Sequence, residues 1–205
     1  MVKPSLLVAT RSPGKQREIE AILADIPFRV VFPDEAGFFE SRDEDRLEDA
    51  GSLEGNARRK AEYFARRAHL PCVADDSGIE VFSLGGAPGV KSKRFAMPAA
   101  DQDAANNAEL LRRLAGAPRE RRRARYRCFV AYMETDAAVP VVFEGTCTGF
   151  ILEKPEGTGG FGYDPLFWSD DLGKSFGLAD PEEKHSVSHR GRAFRAFAEW
   201  LAGRR

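Results

Sequence analysis

The sequence carries almost no net charge: 31 Lys and Arg stand against 32 Asp and Glu, a formal −1. Bulk attraction to nucleic-acid phosphate needs a net basic surface, so direct nucleic-acid binding is disfavoured. Long apolar runs are missing too. None approaches the ~20 residues of a membrane-crossing helix, and the longest, Cys128–Met133, has the length of a strand. Cysteine is scarce: Cys72, Cys128 and Cys147 leave at least one thiol unpaired and match no zinc spacing. Reduced thiols in a cytoplasmic protein are the expectation. The N-terminal segment has one Lys and a short apolar run closed by Arg11, which reads as a first strand rather than a signal peptide. No internal repeat or low-complexity linker interrupts the chain. What remains is a folded composition, 205 residues with 42% hydrophobic and 31% charged, enough for one domain (1–205) with a sizeable core or two small lobes.

The balance conceals segregation. Nine acids and two arginines lie between Asp34 and Glu54; eight arginines and one acid lie between Arg112 and Arg127. Such runs are commonly solvated faces, and for the arginines a solvated face or a dimer contact is expected. Leu6–Thr10 reads as a buried strand, Lys15–Ala24 as a helix and Phe28–Phe32 as a strand, followed by an acidic loop. Ser52 can cap a helix running to about Ala68. Cys72–Ala74 and Ile79–Phe82 read as two short strands, and Ala104–Leu114 as a helix. Ala124–Glu134 and Val139–Phe150 suggest a hairpin joined by a polar turn, and Gly191–Ala202 a final helix. Strands and helices mix without a clean βαβ rhythm, so the expected fold is α/β with a mixed sheet.

Four segments could carry chemistry. Thr10-Arg11-Ser12-Pro13-Gly14-Lys15 joins a strand to a helix, where free N–H groups and a lysine suit an anion; the Walker A spacing is absent. Ala74-Asp75-Asp76-Ser77-Gly78 follows an apolar strand, where adjacent acids call for a cation, a basic partner or a base's role. On extended backbone the two point to opposite sides, so at most one faces a given site. Gly157–Pro165 packs four glycines and two aromatics into nine residues. Its backbone can approach a ligand closely, its rings can stack on a planar base, and Asp164 can accept from the base edge. Glu182–Ala193 places Ser188 as a cap with His189 and Arg190 in the first helical turn, suited to an anionic or carbonyl-bearing ligand.

Together these segments, with Ser52–Ala61 (Asn56, Ala57, Lys60) and Gly85–Gly89, resemble the inosine triphosphate pyrophosphatase family. They occur in family order over nearly the whole chain, and Gly159–Pro165 followed by Ser188–Gly191 is a specific pair. The resemblance implies hydrolysis of ITP, dITP and XTP to the monophosphate and pyrophosphate, with Mg²⁺ as cofactor. By motif, Asp76 would be the general base and a metal ligand, and Glu48 the other metal-binding acid. Thr10 to Lys15 would hold the phosphates, with Ser77 near the substrate. Phe161, Gly162, Tyr163, Asp164, Lys184, His189 and Arg190 would line the nucleotide site. The implied fold is a mixed central sheet flanked by helices, in two lobes with a nucleotide cleft between them, as a homodimer.

The residue types suit that reaction. A triphosphate with Mg²⁺ needs acids for the metal and cations for the remaining phosphate charge. Donors from His189 or Arg190 toward a 6-oxo oxygen would be left unpaired by adenine's 6-amino group; excluding guanine needs a further element. Two positions depart from the family pattern. Arg11-Ser12 stands where Gly-Asn is usual, and Ser92-Lys93-Arg94 where Ser-Ala-Arg is usual. Thr10-Arg11-Ser12-Pro13 leans toward Maf-type nucleotide pyrophosphatases, but the glycine-aromatic and Ser-His-Arg-Gly segments do not. A nucleotide-binding protein without catalysis is the reading from outside the enzymes.

Overall fold

The computed structural model describes residues 3–135 and 137–204. Asp136, in the polar turn expected between the two long strands, lies outside the described residues, as do Met1, Val2 and Arg205. Seven strands form one sheet: β1 (Ser5–Val8), β2 (Arg29–Val31), β3 (Cys72–Val81), β4 (Arg123–Met133), β5 (Val141–Ile151), β6 (Phe167–Ser169) and β7 (Lys174–Ser175). Their order is β2-β1-β3-β4-β5-β6-β7. β1 pairs in parallel with β2 and β3, whereas β6 pairs antiparallel with β5 and β7. The sheet is mixed and the fold α/β, as the sequence led us to expect. Among the described residues five α-helices accompany it: α1 (Pro13–Ile22), α2 (Leu53–Ala68), α3 (Gln102–Arg113), α4 (Pro181–Val187) and α5 (His189–Ala202). Among the described residues no helix is long and apolar enough to cross a membrane, and all three cysteines are free and buried.

Local chemistry accounts for the helix starts. Ser12 and Ser52 accept from the backbone N–H groups of Lys15 and Gly55, and Pro13 supplies a preset φ at the first turn of α1. Asp101 caps α3 in the same way. α4 has a full capping box, Asp180 accepting from Glu183 N and Glu183 from Asp180 N, with Pro181 at its start. The Asp-Pro-Glu-Glu signature was present in the sequence, but a seven-residue helix has too little periodicity to show.

Two expectations need correction. Cys72–Ala74 and Ile79–Phe82 are not separate strands: one strand, β3, runs through both acids and Gly78. The acidic segment is not loop throughout, since a 3₁₀ turn spans Glu44–Glu48.

The described residues group into two compact units, the first drawn from Met1–Asp76, Cys128–Gly145 and Arg190–Arg205, the second from Ser77–Arg127 and Thr146–His189. In the first unit Leu6 and Val8 of β1, Ile19 of α1, Val73, Val130 and the α5 rings Phe194 and Phe197 form the core. Each such side chain contributes about 1.5–3 kcal/mol when fully buried. In the second unit Ile79, Val81, Leu110, Leu114, Tyr126, Phe167 and Phe176 do so.

The arginine-rich stretch, expected as a solvated face or a dimer contact, is largely engaged within the second unit. Arg112 and Arg113 pair with Glu109, Arg123 with Asp170, and Arg125 and Arg127 with Glu80. Arg119 lies over the Phe150 ring. Arg122 is buried and donates to the carbonyls of Leu114, Ile151 and Leu152.

Gly78 is where β3 has no room for a side chain. A Cβ there would lie 2.3 Å from the Gly89 carbonyl oxygen and 2.9 Å from Ser92 Oγ, which accepts from Ile79 N. Gly78→Ala should lower stability by about 3 kcal/mol, as overpacking against fixed backbone does. Urea unfolding checks this; a wild-type midpoint would contradict it.

Candidate functional site

The first unit gathers most of the charged residues singled out above. After β1 the chain turns into α1 through Thr10–Lys15. Thr10 Oγ1 accepts from Ser12 N (3.3 Å), and Gln16 donates to the Thr10 carbonyl (3.1 Å). With Ser12 capping the helix and Gly14 buried, the loop is folded onto the first turn of α1. Lys15 extends to Asp75, its Nζ 2.9 Å from Oδ2.

β3 then separates its two acids, because successive side chains alternate faces. Asp75 is fully buried. Its Oδ2 meets Lys15 and Arg190 Nε (3.2 Å) and accepts from the Cys128 thiol (3.8 Å), while Oδ1 has no hydrogen-bond partner among the described residues. Arg190 Nη1 reaches Glu18 Oε2 at 2.6 Å. Burial by itself would raise the Asp75 carboxyl; Lys15, then Arg190 and Lys60 outweigh it and hold it well below the usual carboxylate range. Burial would lower Arg190, but Asp75 and Glu18 raise it above its ordinary value.

Asp76 faces α2. Its Oδ2 accepts from Asn56 Nδ2 (2.9 Å) and its Oδ1 from Lys60 Nζ (3.1 Å). Lys60 also donates to the Asp75 carbonyl (2.7 Å) and lies 3.7 Å from Glu48 Oε1. Two expected metal acids, Glu48 and Asp76, thus converge on one ammonium. Burial disfavours that charge, but Asp76, Asp75 and Glu48 more than restore it, so Lys60 stays a cation. Asn56 and Lys60, one helical turn apart, present both groups from one face of α2. Among the described residues no three His, Cys, Asp or Glu side chains are grouped as a metal site.

Arg11 is turned to another task than its loop position suggested. It donates to both Glu44 oxygens (2.8 Å each), to the Phe38 carbonyl (2.8 Å) and to Asp34.

The second unit holds the glycine-aromatic segment. Asp164 is buried, its Oδ2 accepting from Phe161 N (2.8 Å) and from Lys184 Nζ (2.5 Å). That carboxylate, expected to face a base edge, is built into its own loop. Gly160, at φ +72°, is needed there: a Cβ would lie 2.1 Å from Asp164 Oδ2. Lys184 Nζ is 4.9 Å from the centroid of the half-buried Phe161 ring. Tyr163 is buried and donates to the Ser92 carbonyl, which leaves Phe161 as the ring of this pair with exposed surface. Gly162 is held by Asp103 and Asn107. His189 is buried and stacks on Tyr126, with centroids 4.4 Å apart and planes 5° apart; its Nδ1 lies 3.9 Å from Cys147 Sγ. Ser77 follows Asp76 on β3, half-buried.

The structure therefore brings Lys15, Asp75 and Arg190 together, and Glu48 with Asp76 through Lys60, in the first unit. It brings Phe161, Asp164 and Lys184 together in the second. Glu18, Asn56 and Lys60 were not among the expected site residues, although Asn56 and Lys60 at i and i+4, and Lys15 and Glu18 at i and i+3, are readable helix-face pairs.

The first unit thus combines a strand-to-helix loop after β1 with two carboxylates that share one lysine. The chain belongs to the Ham1 family, whose model matches residues 6–200. It is 40% identical over 223 residues to a dITP/XTP pyrophosphatase of Anaeromyxobacter sp. (strain Fw109-5), covering 96% of each chain. It is 42% identical over 198 residues to a dITP/XTP pyrophosphatase of Yersinia pseudotuberculosis, covering 96% of this chain and 97% of that one. The structure of a HAM1 protein from Coxiella burnetii superposes with a TM-score of 0.85 at 31% identity, covering 98% of this chain and 99% of that one. The family resemblance drawn from the motifs is thereby shown.

Asp75→Asn removes the buried charge shared by Lys15 and Arg190. Stability should fall by about 3 kcal/mol, because uncompensated buried cations remain. Denaturant unfolding at neutral pH measures this, and an unchanged midpoint would exclude Asp75 as the counter-charge.

Proposed function

We propose that the chain hydrolyses non-standard purine nucleoside triphosphates (ITP, dITP and XTP) to the monophosphate and pyrophosphate, keeping them out of DNA and RNA. The observation that carries this is the convergence of Glu48 and Asp76 on Lys60, in the same unit as the Thr10–Lys15 loop. The names of the relatives support the substrate class.

Two carboxylates brought close together fit Mg²⁺, which is held by one or two carboxylates plus substrate phosphates and water rather than by an all-protein cage. Glu48 and Asp76 would hold it, and when bound it would neutralise part of the triphosphate charge. Thr10, Ser12, Gly14 and Lys15 grip the phosphates through backbone N–H groups, hydroxyls and one ammonium, and Pro13, which has no N–H, sets the turn that presents them. The Arg11 guanidinium, engaged with Asp34, Glu44 and Phe38, is left out of this set. Asp76 takes the proton of the attacking water as the α–β anhydride is cleaved, and Asn56 and Lys60 hold its carboxylate in place. Ser77 lies near the substrate. Phe161 and Gly162 line the base pocket, with Tyr163, Asp164 and Lys184 shaping their loop. His189 or Arg190 is the donor for the 6-oxo oxygen, the first fixed by Tyr126 and the second by Glu18 and Asp75. The same reading has the protein act as a cytoplasmic homodimer on a small nucleotide, without binding nucleic acid.

With Mg²⁺, ITP should yield IMP and pyrophosphate, with a preference over ATP of roughly 10²-fold or more. Release of single phosphate, binding without turnover, or a preference for dTTP and UTP would each contradict the proposal. Asp76→Asn should retain nucleotide binding and lose about 10²–10⁴-fold in kcat, the usual contribution of a general base. Near-wild-type turnover in that variant would remove Asp76 from the role.

A further inference from the structure

The acidic segment between β2 and α2 carries Glu48, yet it contributes no element longer than the Glu44–Glu48 turn. It leans on α2, where Asn56 accepts from Ala50 N, Lys60 lies near Glu48 and Arg67 lies over the Phe38 ring; a further side chain reaches it from the loop after β1. Arg11, at the start of that loop, donates through Nε and Nη2 to the two oxygens of Glu44. Nη2 also reaches the Phe38 carbonyl, and Nη1 reaches Asp34. The Glu44 pairing is the bidentate fork in which a guanidinium differs most from an ammonium. Arg11 and Glu44 are both largely covered, at 19% and 16% side-chain exposure, so water screens the pair little.

Glu44 begins the 3₁₀ turn and Glu48 ends it. Fixing the Glu44 carboxylate therefore anchors one end of the turn whose other end brings Glu48 to 3.7 Å from Lys60. We propose that Arg11 is a positioning residue for the acid at Glu48: it orders the segment from Asp34 to Glu48 before any metal arrives, and so lowers the Mg²⁺ concentration that turnover requires. The proposal rests on the function proposed above, in which Glu48 is a metal acid. Ordering backbone costs about 1–2 kcal/mol per residue. A cation that had to order this segment itself would bind with its affinity reduced by the fraction of molecules already in place. Two carboxylates and a carbonyl around Arg11 also make a poor setting for phosphate, which they repel.

The test uses the full chain and three variants, Arg11→Ala, Arg11→Lys and Glu44→Gln. In metal-free protein, amide hydrogen exchange across residues 34–48 should rise about tenfold in Arg11→Ala and Glu44→Gln, the factor for losing roughly one charge-assisted hydrogen bond. Exchange in β1 and α2 should hold. The Mg²⁺ concentration for half-maximal ITP hydrolysis should rise by a similar factor in both, with KM for ITP at saturating Mg²⁺ retained. Arg11→Lys should recover only part of either effect, since an ammonium lacks the fork. A raised KM for ITP in Arg11→Ala with unchanged exchange would make Arg11 a phosphate contact and overturn the proposal. Faster exchange with an unchanged Mg²⁺ midpoint would overturn its metal half. Failure of the wild-type protein to hydrolyse ITP would instead overturn the proposed function, and the exchange measurement would still decide whether Arg11 orders the segment.

Discussion

Asp75 lies wholly buried in β3, and a carboxylate out of water must find cations or lose its charge. Lys15 of α1 and Arg190 of α5 supply them on one oxygen. Glu18, again from α1, holds the far side of Arg190. One strand and two helices of the first unit are tied by charge, in addition to the apolar core formed by Ile19, Val73, Phe194 and Phe197. Removing any one of these charges would strand another, so the arrangement is demanding as well as stabilising. It also sets the chemistry next door: with Asp75 committed inward, strand alternation sends Asp76 to the opposite face, toward α2.

On that face one ammonium does the organising. Lys60 neutralises Asp76, approaches Glu48 and binds the Asp75 carbonyl, so two acids that would repel each other stay close together. Asn56 completes the hold on Asp76 and is fixed through its own oxygen by Ala50 N. In the second unit the same economy recurs with different parts. Lys184 compensates Asp164, and the carboxylate in turn shapes the backbone around Phe161.

Much of the site was legible in the sequence because its residues cluster in short segments with recognisable turn chemistry. The cap at Ser52, the glycine-dense turn and the alternation of Asp75 and Asp76 all follow from local rules. β6 and β7 were not legible, at three and two residues with little pattern of their own. The break drawn between Ala74 and Ile79 had a physical cause. Two acids, a serine and a glycine look like a turn, and only partners far away in sequence allow them to be strand. The near-neutral total charge said little, whereas the pairing of Arg123 with Asp170, and of Arg125 and Arg127 with Glu80, explains why so dense a run of arginines is tolerated.

By itself the sequence determined the α/β class, the start of α2 at its Ser52 cap and the family, since periodicity, capping residues and motif order are properties of neighbours along the chain. Only the tertiary structure decided which charge meets which. Arg190 reaches Glu18 across 172 positions, and Arg11 turns from the loop after β1 to an acidic segment 33 residues on. Coulomb energy depends on distance and burial rather than on order in the chain. The partners of a buried ion were therefore fixed only once the strands and helices had packed.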